Sequence, residues 1–138
     1  MNKIYTSQGI GIASALGGPL AAGYLLSRNF KAFGFYQYSK NSIIFSIFTL
    51  LAYFVILILV PYNLSTNIPS LLFPLIFYGL SYRISDRYLR IHIDNHKESG
   101  GLTYSNWQAF GTGLIFAILT IIMGYATYRI IDLFAPIT

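Results

Sequence analysis

Two stretches of this chain are apolar on every side and carry no charge, residues 43–60 and 107–128. A helix needs roughly 20 mainly apolar residues to cross the hydrocarbon core of a bilayer. Both stretches therefore read as transmembrane helices. Lys40 precedes the first and Pro61 ends it. Ser105 and Gln108 have the spacing of a capping box, which predicts that the second begins near Ser105.

Two weaker stretches complete the pattern. Residues 5–26 are rich in Gly and Ala and are followed by Arg28 and Lys31. Ala13-Ser14-Ala15 has the look of a signal-peptide cleavage site, but the apolar run before it is too short, so the segment reads as a retained span. Residues 68–82 are short and contain Pro69 and Pro74. They cross only if the helix continues through Arg83 and Arg87, whose stems reach the headgroups. The expected spans are thus about 5–26, 43–60, 68–88 and 106–131, with a short turn over 62–67. The fold class is all-α: a single transmembrane domain over 1–138, with four helices in a compact bundle.

Composition agrees with the pattern. Of 138 residues, 55% are hydrophobic and 9% charged, against about 25% charged in soluble domains. The net charge of +5 comes from bases scattered between apolar runs rather than grouped on a solvated face, so nucleic acid is not an expected partner. With no cysteine there is no disulfide and no Cys-ligated metal. Arg28, Lys31, Lys40, Arg83, Arg87, Arg90 and Lys97 fall in the first and third connections, against Lys3 and Arg129 elsewhere. That bias predicts cytoplasmic loops over 27–42 and 89–105, with both termini outside. Many of the tyrosines lie near span ends, as in an aromatic belt.

Four features carry candidate chemistry. Gly9, Ala13, Gly17 and Ala21 recur every four residues, a small-residue face suited to close helix packing, within the protein or against a partner. Gly17-Gly18-Pro19 predicts a kink in that helix. Arg83, Arg87, Arg90 and Lys97 share a helical face if the third helix continues, and would dock on lipid headgroups or an acidic partner. Along it, Asp86 and Asp94 are spaced to pair with Arg90, and Asp132 with Arg129. His92 and His96 have an i,i+4 metal-ligand spacing but lack a third ligand, so no metal and no cofactor is expected. Residues 29–34 and 106–111 share four identities, which a common interfacial setting explains, with chance similarity between compositionally biased segments as the alternative.

The run from Gly17 to Gly23 followed by Arg28-Asn29, with Gly100-Gly101 and Ser105-Asn106-Trp107 later, resembles small uncharacterised bacterial inner-membrane proteins. The resemblance implies a bacterial inner membrane and brings no activity. The expected function is a non-enzymatic interaction protein, an accessory subunit or regulator of a larger membrane assembly. A homo-oligomeric channel or membrane-permeabilising protein is the alternative. A membrane enzyme using residues 83–98 is third.

Overall fold

The computed structural model describes residues 2–59 and 71–134. It comprises four helices: α1 (Ser7–Ala32), α2 (Tyr36–Leu59), α3 (Leu72–Glu98) and α4 (Asn106–Phe134). The turn expected over 62–67 and the expected start of the third span at residue 68 lie outside the described residues. By length and composition, three helices suffice to cross a membrane: Ser7–Ala32, Tyr36–Ile56 and Asn106–Ile130. The protein is therefore an all-helical bundle with the makings of a membrane protein.

The first helix departs from the expected span. Helical geometry breaks at Gly18, with φ 63° and ψ −151°, a region open essentially only to glycine. The result is a reversal rather than a gentle kink. Asn29 bonds the backbone of Tyr5 on both sides, accepting from its N–H at 2.8 Å and donating to its carbonyl oxygen at 2.7 Å. In a continuous helix these residues would stand about 36 Å apart, at a rise of 1.5 Å per residue.

Neighbours along α4 trace the same path. Gly9 lies against Ala109, and Ala13 against Gly113. Beyond the break the order runs backwards, with the Tyr24 ring on Phe116 at 5.2 Å and Arg28 reaching the Tyr104 hydroxyl at 3.4 Å. α1 is thus a helical hairpin with an outgoing arm over 7–17, a tip at Gly18 and a return arm over 19–32. Pro19 occupies the first position of the return arm, where its missing N–H costs nothing. The arms measure about 16 and 21 Å, each too short to cross about 30 Å of hydrocarbon.

This geometry differs from a continuous first helix over 5–26: both ends of α1 lie at one end of the molecule. The glycine-rich first helix is also the most closely packed of the four. α1 packs extensively on α2, α3 and α4, while the outer helices meet one another only sparsely among the described residues. Within the span-length windows, 61% of α1 is buried, against 17% for α2 and 11% for α4.

The core follows from that arrangement. Ile10, Ala13, Ala21, Leu25, Leu26 and Phe30 of α1 are buried with Leu89 and Ile93 of α3 and Ala109 of α4. On α3 the buried positions Ser81, Ser85, Leu89 and Ile93 recur every four residues, one stripe turned towards α1. Hydroxyl pairs join the elements: Ser7 with Ser85 at 3.0 Å, and Ser27 with Ser39 at 2.7 Å. Small side chains and paired hydroxyls of this kind are the contacts that hold helices together where a hydrophobic drive between them is weak.

Candidate functional site

Most ionisable groups gather at the end of the bundle where the two arms of α1 begin and finish. There the N-terminal segment is pinned beside the α3–α4 loop. Ile4 pairs with the loop through Ile4 N–H to the Leu102 carbonyl oxygen (3.2 Å) and Tyr104 N–H to the Ile4 carbonyl oxygen (2.8 Å). The Tyr5 and Tyr104 rings stack at 4.2 Å. The Lys3 ammonium lies 4.6 Å from the centre of the Tyr104 ring, and the Arg28 guanidinium 5.7 Å from it. Asn29 sits beneath this collar, wholly buried, with both ends of its amide used on Tyr5.

The capping box forms as the spacing predicts, with Ser105 N–H to Gln108 Oε1 at 3.1 Å and Gln108 N–H to Ser105 Oγ at 3.2 Å. α3 continues to Glu98, and Arg83, Arg87, Arg90 and Lys97 are all exposed on it. Arg90 stands 3.9 Å from both Asp86 and Asp94, and Arg129 stands 3.7 Å from Asp132. These pairs are solvent-facing and worth at most about 1 kcal/mol each. Their use is to keep Arg90 directed along its own helix, whereas Arg83 and Arg87 form no ion pair among the described residues.

His92 and His96 do share a face, and aromatic rings pack beside it, leaving His92 exposed and His96 half-buried. Phe33 lies 5.5 Å from the His92 ring and 6.1 Å from that of His96, and Phe35 lies 5.0 Å from His92. A ring nitrogen of His96 is 3.1 Å from the Leu102 carbonyl oxygen. Among the described residues no three His, Cys, Asp or Glu side chains come together. The imidazoles here brace the α1–α2 turn against α3.

The small-residue positions are occupied within the chain. Gly9, Ala13 and Gly17 face α4, and Ala21 is buried beside Gly17. At Gly17 a Cβ would stand 2.7 Å from both the Gly113 carbonyl oxygen and Phe116 Cβ; at Gly113 it would stand 2.8 Å from the Ala13 carbonyl oxygen. The two backbones approach as closely as the residue types allow.

Because the outer helices splay, three openings remain beside the hairpin. One is polar, about 420 Å³, between the start of the outgoing arm and α3, with Asp86, Arg90, Asp94 and Lys97 in its lining. A cavity of about 200 Å³ caps the tip, between Gly17, Gly18 and Pro19 below and Leu50, Tyr53, Phe73 and Thr120 around it. A larger groove, about 560 Å³, lies between α2 and α3 with the return arm as its floor. Pro19, Ala22, Gly23 and Leu26 form that floor, and Tyr38, Phe45, Phe77 and Tyr88 the walls.

Sequence reasoning missed the residues that close the hairpin. Asn29 reads as an interfacial cap at the start of a loop, since Arg28 and Lys31 flank it; helical packing of Leu25, Leu26 and Phe30 carries α1 past it. Its signal was a lone amide within an otherwise apolar packing stripe. Comparison with protein-family models, with curated proteins and with solved structures gives no match to this chain.

Proposed function

We propose that this chain is a bacterial inner-membrane protein in which α2, α3 and α4 cross the bilayer and α1 enters and leaves from the cytoplasmic side. The charge distribution supports that topology better than the one expected from four simple spans. Folding α1 back moves Lys3 to the side of Arg28, Lys31, Lys40, Arg83, Arg87, Arg90 and Lys97, leaving only Arg129, paired to Asp132, opposite. A stronger bias of Lys and Arg to one side is what orients a membrane protein. The N-terminus is then cytoplasmic and the C-terminus outside.

Within that setting the protein acts as a non-enzymatic interaction protein, an accessory subunit or regulator of a larger membrane assembly. The observation that carries this reading is the unequal burial: one hub hairpin is covered, and the outer faces of α2 and α4 stay apolar and uncovered along their described length. Ionisable groups of α3 line an exposed polar pocket beside Thr6, Ser7 and Gln8, where Arg90 stands between Asp86 and Asp94, and among the described residues no three His, Cys, Asp or Glu side chains come together.

Topology is read directly because the chain has no cysteine of its own. Single cysteines at Asn2, Lys40 and Asp132 are expected to react with an impermeant thiol reagent from the inside, inside and outside respectively. Labelling of Asn2→Cys from outside overturns the re-entrant topology. For the assembly, mass and composition of the particle drawn from native membranes in an amphipol are the test. A heteromeric particle is expected. A lone monomer sinks the subunit reading, and a pure homo-oligomer replaces it with the pore reading.

A further inference from the structure

The groove between α2 and α3 is open along one side, with the return arm of α1 as its floor. Tyr38 and Tyr88, both in its lining, bridge the two helices at the basic end with ring centres 6.2 Å apart; beyond its other end Tyr53 and Phe73, which line the cavity at the hairpin tip, bridge them again at 5.5 Å. Between them α2 advances from residue 38 to 53, about 22 Å at 1.5 Å per residue. The floor falls from Phe30, at the basic end, to Pro19, at the hairpin tip. In the topology proposed above, the groove runs from the cytoplasmic interface towards the middle of the bilayer.

We propose that this groove is a binding site for one acyl chain of an anionic glycerophospholipid of the cytoplasmic leaflet, a proposal that rests on the membrane topology given above. Three observations select that occupant. First, the groove offers little hydrogen bonding. The hydroxyls of Ser42, Ser46 and Thr49 already donate to the carbonyl oxygens of Tyr38, Ile43 and Phe45, each at 2.8 Å. Ser81 likewise donates to the Phe77 carbonyl oxygen.

Second, a partner helix about 10–12 Å across needs a track open along its length, and the aromatic bridges close this one at its basic end and beyond its other end. A thin flexible chain entering from the side meets no such limit. The volume, about 560 Å³, lies within the range of sites that enclose a small ligand. Third, the mouth lies at the basic end. Tyr38, Asn41 and Tyr88 mark the headgroup level, Lys40 and Arg87 adjoin them in sequence, and neither base has an acidic partner among the described residues. An anionic headgroup complements that end, each nearby base contributing about 1 kcal/mol at a membrane surface.

The test reconstitutes the full chain in vesicles of phosphatidylethanolamine and phosphatidylglycerol at three to one, then extracts it mildly and counts retained lipid by native mass spectrometry. One phosphatidylglycerol per protomer is expected. Ala22→Phe and Thr49→Phe each place a ring in the groove and are expected to lower the retained fraction at least tenfold. Ile47→Phe, on the outer side of α2, is expected to leave it unchanged. Lys40→Gln with Arg87→Gln is expected to remove the preference for the anionic lipid.

Several results would overturn the proposal: no retained lipid, equal retention of both lipids, retention unaffected by either groove-filling variant, or a co-isolated polypeptide that crosslinks to the groove. Flotation of the vesicles separates this from the reading beneath it. Protein that floats but holds no lipid overturns the lipid site alone. Protein that fails to float overturns the membrane assignment itself.

Discussion

Replacing Asn29 with Ala is expected to release the N-terminal segment and open the base of the hairpin. Asn29 is wholly buried, and its amide supplies the partner for both the N–H and the carbonyl of Tyr5. Truncation leaves two backbone groups without partners in a site that excludes water. Each such group costs about 1–3 kcal/mol. A loss of about 3 kcal/mol raises the opening constant about a hundredfold. The measurement is amide hydrogen exchange at Tyr5 and Tyr104 in a lipid nanodisc. Both are expected to exchange faster, because Tyr104 donates to the Ile4 carbonyl oxygen and loses its anchor when Ile4 moves.

Asn29→Asp discriminates the clamp from mere filling of space. It keeps an acceptor for the Tyr5 N–H but, while ionised, turns the donor that faced the Tyr5 carbonyl into a second acceptor. The side chain is nearly the same size, so packing alone predicts a small effect, whereas the clamp predicts a loss at least as large as for Ala. Tyr5→Phe removes only a hydroxyl that makes no hydrogen bond among the described residues, keeps both backbone bonds and is expected to change protection little. Equal protection in all three variants would show that something else holds the hairpin closed.

The contrast between what was legible and what was not has a physical basis. The central helices were readable because a long uncharged apolar run has few alternatives: residues 43–59 and 107–128 fall within α2 and α4, which extend to Tyr36 and Phe134. The expected span stopped at 88 and gave 89–105 to a loop, whereas α3 runs to Glu98; the i,i+4 pairs at Asp86, Arg90 and Asp94, expected if the helix continued, are formed. Hydropathy misplaced the end of α1 because Arg28, Asn29 and Lys31 look like a loop. In the structure Arg28 and Lys31 point outwards and the apolar side of the same turns stays packed.

The reversal at Gly18 was not legible. Gly17-Gly18-Pro19 announces a break in the helix, and its angle is left to contacts far away in the chain. Those contacts are Asn29 on Tyr5, the collar around Tyr104, and the approach of Gly17 to Gly113 across the bundle. The paired serines were hidden for a similar reason. Ser7, Ser27, Ser39 and Ser85 each look like an ordinary polar residue until a second helix brings the partner hydroxyl. On the site side, the basic face of α3 was visible as a run of Arg and Lys. The α2–α3 groove depends on the outer helices standing apart, which no local pattern encodes.

Enlarging Gly17 or Gly113 is expected to damage the bundle by a different route from enlarging Gly18, and the difference tests the hairpin itself. At Gly17 and Gly113 an added Cβ meets backbone atoms of the facing element at 2.7 and 2.8 Å, so the outgoing arm and α4 must separate. Overpacking of that kind costs about 1–3 kcal/mol for Gly17→Ala or Gly113→Ala, and more for Val. The two positions share one interface. Once one substitution has forced the elements apart, the second is expected to cost less, giving a coupling of about 0.5–3 kcal/mol in a double-mutant cycle.

At Gly18 nothing lies within 4 Å of an added Cβ, and the cost of Gly18→Ala is backbone strain alone, about 1–3 kcal/mol. Gly111 supplies the control: it is helical, with open space where a Cβ would be, and Gly111→Ala is expected to be neutral or stabilising by up to about 1 kcal/mol. Steric trapping in bicelles or thermal unfolding in mild detergent measures all of these. A straight first helix would reverse the order, since Gly18→Ala would then stabilise an ordinary helical position and Gly17 would tolerate a methyl group as Gly111 does.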